Sequence, residues 1–172
     1  MDKKYIGQFL SFKFEYKNET VVISGYLINF SEDWTLLKQC AFDYLVDGYI
    51  LLNNKHITEF KRDREERFKE KVLDLKGQRP TEKENFDLKD TATILKYLSD
   101  KYGMFMFSQR TNGTCWLGKV KKIKGTDFKI DYLNPKGIWS NSMPTYKLGN
   151  IRTIEFDTDY INSLKLISKK RQ

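Results

Sequence analysis

One histidine, two cysteines and three prolines are all that 172 residues supply of the types on which most catalytic, metal-binding and disulfide frameworks are built. A nucleophile–base pair would have to use His56, and nothing in the sequence sets a Ser, Thr or Cys beside it. Cys40 and Cys115 are too few for a disulfide framework and stand in no metal-ligand spacing, so reduced thiols are expected. There is no glycine-rich phosphate loop. Asp157-Thr158-Asp159 is the one carboxylate arrangement that invites a metal, but it lacks the later Gly and Glu of a calcium loop. Asp157 or Asp159 reads better as the cap of a final helix. No cofactor and no metal are expected, and enzyme activity is the least favoured class. No purely apolar run exceeds four residues, as in Tyr49–Leu52, against the roughly 18 that a membrane helix needs. The N-terminus, Met1–Tyr5, leads into alternating rather than continuous apolar residues. A cytoplasmic location and no membrane partner are therefore the expectation.

What the chain does have is cationic charge, unevenly placed. Residues 1–90 carry 16 Lys/Arg against 17 Asp/Glu, whereas residues 91–172 carry 15 against 6, and together they give the formal charge of +8. The basic character belongs to the second half. A field of one sign raises the local concentration of polyanions, although it also serves solubility alone.

The chain also repeats itself. Gly25 and Gly118 lie 93 residues apart, and Ile57 and Ile151, like Phe60 and Ile154, lie 94 apart. Around these landmarks each half reads as five short strands. Alternation at Phe9, Phe12, Phe14 and Tyr16 opens the first unit, followed by strands at 20–30, 34–38, 49–52 and 57–60. Turns are expected at Lys17-Asn18-Glu19, Ser31-Glu32-Asp33 and Asp47-Gly48. The second unit repeats the order at 104–110, 114–124, 128–133, 145–148 and 151–156, with a turn at Thr111-Asn112-Gly113 and a long loop at 134–144. Five short strands with tight turns predict a small, strongly bent antiparallel barrel.

Helical spacing covers 63–75, where Phe68, Val72 and Leu75 form the expected core face, and 91–102, where Asp90-Thr91 caps and Gly103 ends a helix burying Ile94, Leu95 and Leu98. A last helix over 157–168 carries Ile161, Leu164 and Ile167, before a frayed Lys169-Lys170-Arg171 tail. The expected domains are 1–77, a polar linker at 78–89, and 90–172.

A capped helix at Thr91–Tyr102 followed by five antiparallel strands is the element order of Sm-like domains, and the bent strands also resemble SH3-like barrels. The resemblance covers most of residues 9–60 and 90–156 and is one of topology. Lys55-His56, just before Ile57, resembles the Lys-His pair that Hfq-type Sm proteins place near their RNA-contacting rim, and marks both residues as a possible rim contact. The second unit has Leu148-Gly149-Asn150 there. The whole pattern is similar to uncharacterised bacterial proteins with two small Sm-like barrels in tandem. It implies a mainly β (α+β) fold of two tandem five-stranded barrels with connecting and C-terminal helices. Helices after each barrel would cover the edges through which Sm proteins form rings, leaving the two barrels to pair within one chain.

The densest basic segment, Lys119-Val120-Lys121-Lys122-Ile123-Lys124, lies on a strand with Lys129 on the next. Lys119 and Lys121 would project from one face about 6.5 Å apart, a spacing that tracks phosphates; lysines on an edge strand also simply block aggregation. The 134–144 loop holds Lys136 and Trp139, which would stack on a base, a sugar or a proline, or else close the barrel end. The expected function is a non-catalytic binding module that contacts nucleic acid (RNA or single-stranded DNA), or another polyanion, through Lys119, Lys121, Lys122, Lys124, Lys129, Lys136 and Trp139. The alternatives are a protein-interaction module using Tyr26, Tyr44 and Tyr49, and a small-ligand receptor between the barrels.

Overall fold

The computed structural model describes residues 1–81, 84–111, 113–140 and 142–169. Asn112 of the expected turn, Asn141 of the long loop and the Lys170-Arg171 tail lie outside the described residues. The first half contains β1 (Phe9–Glu15), β2 (Thr20–Phe30), β3 (Trp34–Phe42), β4 (Leu45–Asn53), β5 (Ile57–Lys61) and α1 (Arg64–Leu75). The second contains α2 (Thr91–Tyr102), β6 (Phe105–Ser108), β7 (Cys115–Lys124), β8 (Asp127–Leu133), β9 (Trp139–Ser140), β10 (Tyr146–Lys147), β11 (Thr153–Phe156) and α3 (Asp159–Lys169).

The fold is mainly β. Its 11 strands form one open antiparallel sheet in the order β10-β8-β7-β6-β11-β4-β3-β2-β1-β5, with β9 added to β8. The ladders thus run unbroken from one half into the other. Each half has the same internal order, in which the last strand pairs with the first and the first, second and third follow to the fourth. The halves meet where β11 pairs with β4, Thr153 opposite Leu52 through to Phe156 opposite Tyr49. One apolar core spans this seam and includes Phe9, Tyr49 and Leu51 of the first half, Phe105, Phe128 and Phe156 of the second, and Ile94, Leu95 and Leu98 of α2. A second core fills the first half around Leu10, Phe12, Phe14 and Leu37. A third, around Met104, Leu117 and Leu133, is covered by Ile161 and Leu164 of α3.

The repeat has a physical signature. A Cβ at Gly25 would lie 2.3 Å from the carbonyl oxygen of Lys38, and one at Gly118 would lie 2.2 Å from that of Asp131. In both halves the second and third strands approach as only glycine permits. The reversal between β3 and β4 falls at Tyr44, whose φ is +57°, while Asp47 and Gly48 lie within β4. The expected turn at Asp47-Gly48 is therefore corrected: Gly48 lies where a Cβ would collide with Thr158 at 2.5 Å.

The face of α1 is also corrected. Phe68 and Leu75 are exposed, at 57% and 80%, and the buried residues are Glu66, Glu70 and Leu73. The carboxylates turn inward because each finds partners there. Asp63 N–H donates to Glu66 Oε2 at 3.1 Å, closing a capping box, and Lys61 Nζ lies 3.4 Å from Glu66. Glu70 is held by Arg62 and by Arg79, whose other nitrogens reach Asp74 and the carbonyl of Gly7. Buried charges are tolerated when paired in this way. Residues 84–88 pack as well, with Phe86 stacked on Tyr97 at 4.4 Å and Leu88 buried. α2 follows its expected boundaries, Asp90 accepting from Thr93 N–H at 2.8 Å and Gly103 ending it at φ +80°. α3 is capped by Thr158, whose Oγ1 accepts from Ile161 N–H at 3.2 Å, rather than by Asp157 or Asp159. Ile167 is 45% exposed, so only Ile161 and Leu164 of the three expected core positions are buried.

Gly25→Ala and Gly118→Ala should each lower stability in urea unfolding by about 1–3 kcal/mol, while Gly113→Ala, with open space around it, should stay within about 0.5 kcal/mol. The same assay should find Phe68→Ser nearly neutral and Leu73→Ala costly by about 2–5 kcal/mol.

Candidate functional site

Lys119 pairs with Asp131, Lys122 with Lys129 and Lys124 with Asp127, with a register shift between Val120 and Lys122. Strict alternation would put Lys119 and Lys121 on one face and Lys122 and Lys124 on the other. The bulge leaves Lys121 unpaired and returns Lys122 and Lys124 to the face of Lys119, because 127, 129 and 131 alternate regularly on the partner strand. The apolar side of the strand keeps its phase through Val120 and Ile123, both packed against the central core. Near the bulge, Val120 N–H donates to Ser99 Oγ of α2 at 2.9 Å, which fixes the helix against the strand.

The face is basic with few internal partners. Lys121 Nζ lies 3.6 Å from Asp131, and Lys147 Nζ is bonded to Asp127. Among the described residues, Lys122, Lys124 and Lys129 make no ion pair. Two like charges directly opposite each other destabilise a sheet by about 0.2–1 kcal/mol, so the Lys122–Lys129 pair is a cost to the fold. With Asp127, Phe128 and Thr145 the three lysines line a shallow concavity of about 290 Å³.

Trp139 enters from the long loop. Asn134 Oδ1 accepts from Lys136 N–H and Ile138 N–H, forming a tight turn that carries Lys136, and Trp139 then pairs with Leu133. The indole is half-buried against the α3-covered core, and Lys119 Nζ sits 5.3 Å from its ring centroid. Lys119 and Trp139 are thus together, with the ring partly covered by the ammonium.

Lys55 and His56 share one turn and differ in exposure. Lys55 is exposed on a 3₁₀ turn, Asn54–His56, its N–H donating to Asn53 Oδ1 at 3.1 Å. His56 is half-buried, its ring edge on Phe14, and lines a cleft of about 360 Å³ with Lys17, Gln109, Arg110, Gly149, Asn150 and Arg152. Burial, with Arg152 nearby, pushes the imidazole below its ordinary value. This cleft lies on the seam: Lys17 N–H donates to the Arg110 carbonyl at 2.9 Å, and Arg152 donates to the carbonyl of Glu15. Sequence reasoning missed every lining residue except His56. The signal was the offset, since Lys17 and Arg110 are 93 residues apart in equivalent turns.

A further cleft of about 460 Å³ opens between the diverging ends of β2 and β3, lined by Val21, Val22, Ile23, Phe42 and Lys69, with Glu155 among its walls. Burial pushes the Glu155 carboxyl up to about 7, and Asp47 adds repulsion. Of the first-half tyrosines offered as a surface, Tyr26 and Tyr49 are buried in the central core and Tyr44 packs against it.

Compared with known proteins, the chain matches no family model and no curated protein. Among the described residues, no helix is long and apolar enough to cross a membrane.

Glu155 yields a pH prediction. Its folded value of about 7 stands above the ordinary 4.5, so the protonated carboxyl favours the fold; that contribution is complete below 4.5 and is lost as pH rises through 7. Glu155→Gln should therefore raise stability at pH 8 by on the order of 2 kcal/mol and leave it nearly unchanged at pH 4, as read by urea unfolding at both values.

Proposed function

We propose that the protein is a non-catalytic module that binds a polyanion, with single-stranded nucleic acid preferred, on the lysine face of β7 and β8. The observation that carries this reading is the like-charge pair of Lys122 and Lys129, reinforced by Lys124, with none of the three in an ion pair among the described residues. Phosphates passing over this face would relieve the repulsion and release counterions, a gain in affinity that falls with salt. Lys119 and Lys121 extend the track, and Trp139 offers a ring for a base where the Lys119 ammonium gives way to phosphate. The repeated strand order and the paired glycines support reading each half as a diverged Sm-like unit, the second specialised for anions. On this reading the protein works in the cytoplasm.

A rival reading, capture of a protein partner, is favoured by one observation: Phe42, Leu45, Phe68 and Leu75 of the first half are exposed, at 74%, 47%, 57% and 80%. The two readings separate on one experiment. The triple variant Lys122→Glu, Lys124→Glu, Lys129→Glu should lose single-stranded RNA binding by at least about a hundredfold, whereas Lys122→Gln with Lys129→Gln, which removes the like-charge pair, should weaken binding without a lower melting temperature. For the wild type, the logarithm of the binding constant should fall against log salt with a slope of about −2 to −3. RNA binding that ignores both salt and the triple substitution would sink the proposal.

A further inference from the structure

The cleft on the seam is a second cationic site, distinct in its residues from the β7–β8 face. Both halves build it: Lys17 and His56 come from the first, and Gln109, Arg110, Gly149, Asn150 and Arg152 from the second. Among the described residues, no carboxylate lines it, and Lys17, Arg110 and Arg152 make no ion pair. Three permanent cations are gathered there at a repulsive cost that an anion would offset. They are also held in position. Arg152 is anchored to the Glu15 carbonyl, and the backbone bond from Lys17 N–H to the Arg110 carbonyl ties together the two turns that carry the other two cations. At about 360 Å³ the cleft exceeds what an inorganic ion needs and falls at the small end of ligand pockets. The Gln109 and Asn150 amides supply donors and acceptors of the kind that read ribose hydroxyls or a base edge.

We propose that this cleft binds a nucleoside monophosphate, free or at a strand end, with Lys17, Arg110 and Arg152 on the phosphate and His56 beside it. Arginine forks match phosphate oxygens in pairs, and a charge-assisted bond to each oxygen is stronger than a neutral one. The proposal is independent of the lysine face and of any extended nucleic acid bound there.

His56 is the only histidine in the chain, so its imidazole proton resonances report on the cleft alone. Full-length protein is titrated with adenosine 5′-monophosphate, with a 5′-phosphorylated trinucleotide, and with adenosine. A saturable movement of the His56 resonance with the monophosphate supports a free nucleotide, and one with the phosphorylated trinucleotide alone supports a strand end. In either case the imidazole titration midpoint should move upward on saturation, because a bound anion favours the charged ring. Lys17→Gln with Arg110→Gln, two exposed side chains whose backbone bond is untouched, should weaken binding at least about tenfold. The inference is overturned if no phosphorylated probe moves the resonance, if adenosine moves it equally, or if the double variant binds as the wild type does. It is also overturned if Lys122→Glu, Lys124→Glu, Lys129→Glu removes the response to the same extent.

Discussion

The short ladder between β4 and β11 is the constraint on which the other features rest. Without it each half would present a bare strand edge, with backbone groups seeking partners and half of an apolar core. With it, Tyr49 stacks on Phe156 at a centroid distance of 5.0 Å, and α2 closes over both halves. The same junction is stitched on its flank by Asn53, whose Nδ2 donates to the Ile151 carbonyl at 3.0 Å, and by the bond of Asn53 N–H to Arg152 at 2.9 Å. Tyr16, Ser108 and Thr153 join their hydroxyls across it. The cationic cleft exists because this junction sets two turns from equivalent positions side by side.

The halves share an order of strands and differ in what covers them. Tyr26 and Ile28 of β2 are buried, and the Tyr26 hydroxyl donates to Asp74 of α1 at 3.0 Å. The counterparts in β7, one step and three steps past the paired glycine, are Lys119 and Lys121, which stay in water. In the first half charge is spent internally, on the Arg62, Glu70 and Arg79 network beneath α1. In the second it is left facing out. Net charge by halves is the coarse trace of that difference.

Much of this was legible in the residues themselves. Period-2 alternation located most strands, and Asp90 and Gly103 bracketed α2, because those signals are local and no tertiary contact competes with them. The face of α1 was not legible: Phe68 and Leu75 have the right spacing, but the capping box and the arginines that reward Glu66 and Glu70 come from residues 61–63 and 79. The phase of the lysines was half legible. Their density is a sequence property, whereas the bulge that unites them depends on pairing with β8. The cleft was hidden because its cations lie singly in turns, and only the junction of the halves assembles them.

The two crowded glycines carry a consequence for how such a chain can evolve. Surface lysines, loop length and even helix orientation are free to differ between the two halves, since little backbone depends on them. Positions 25 and 118 are not, because any side chain there would strike a carbonyl of the neighbouring strand. In a lineage of such chains, those two sites should stay silent while the electrostatics around them change sign.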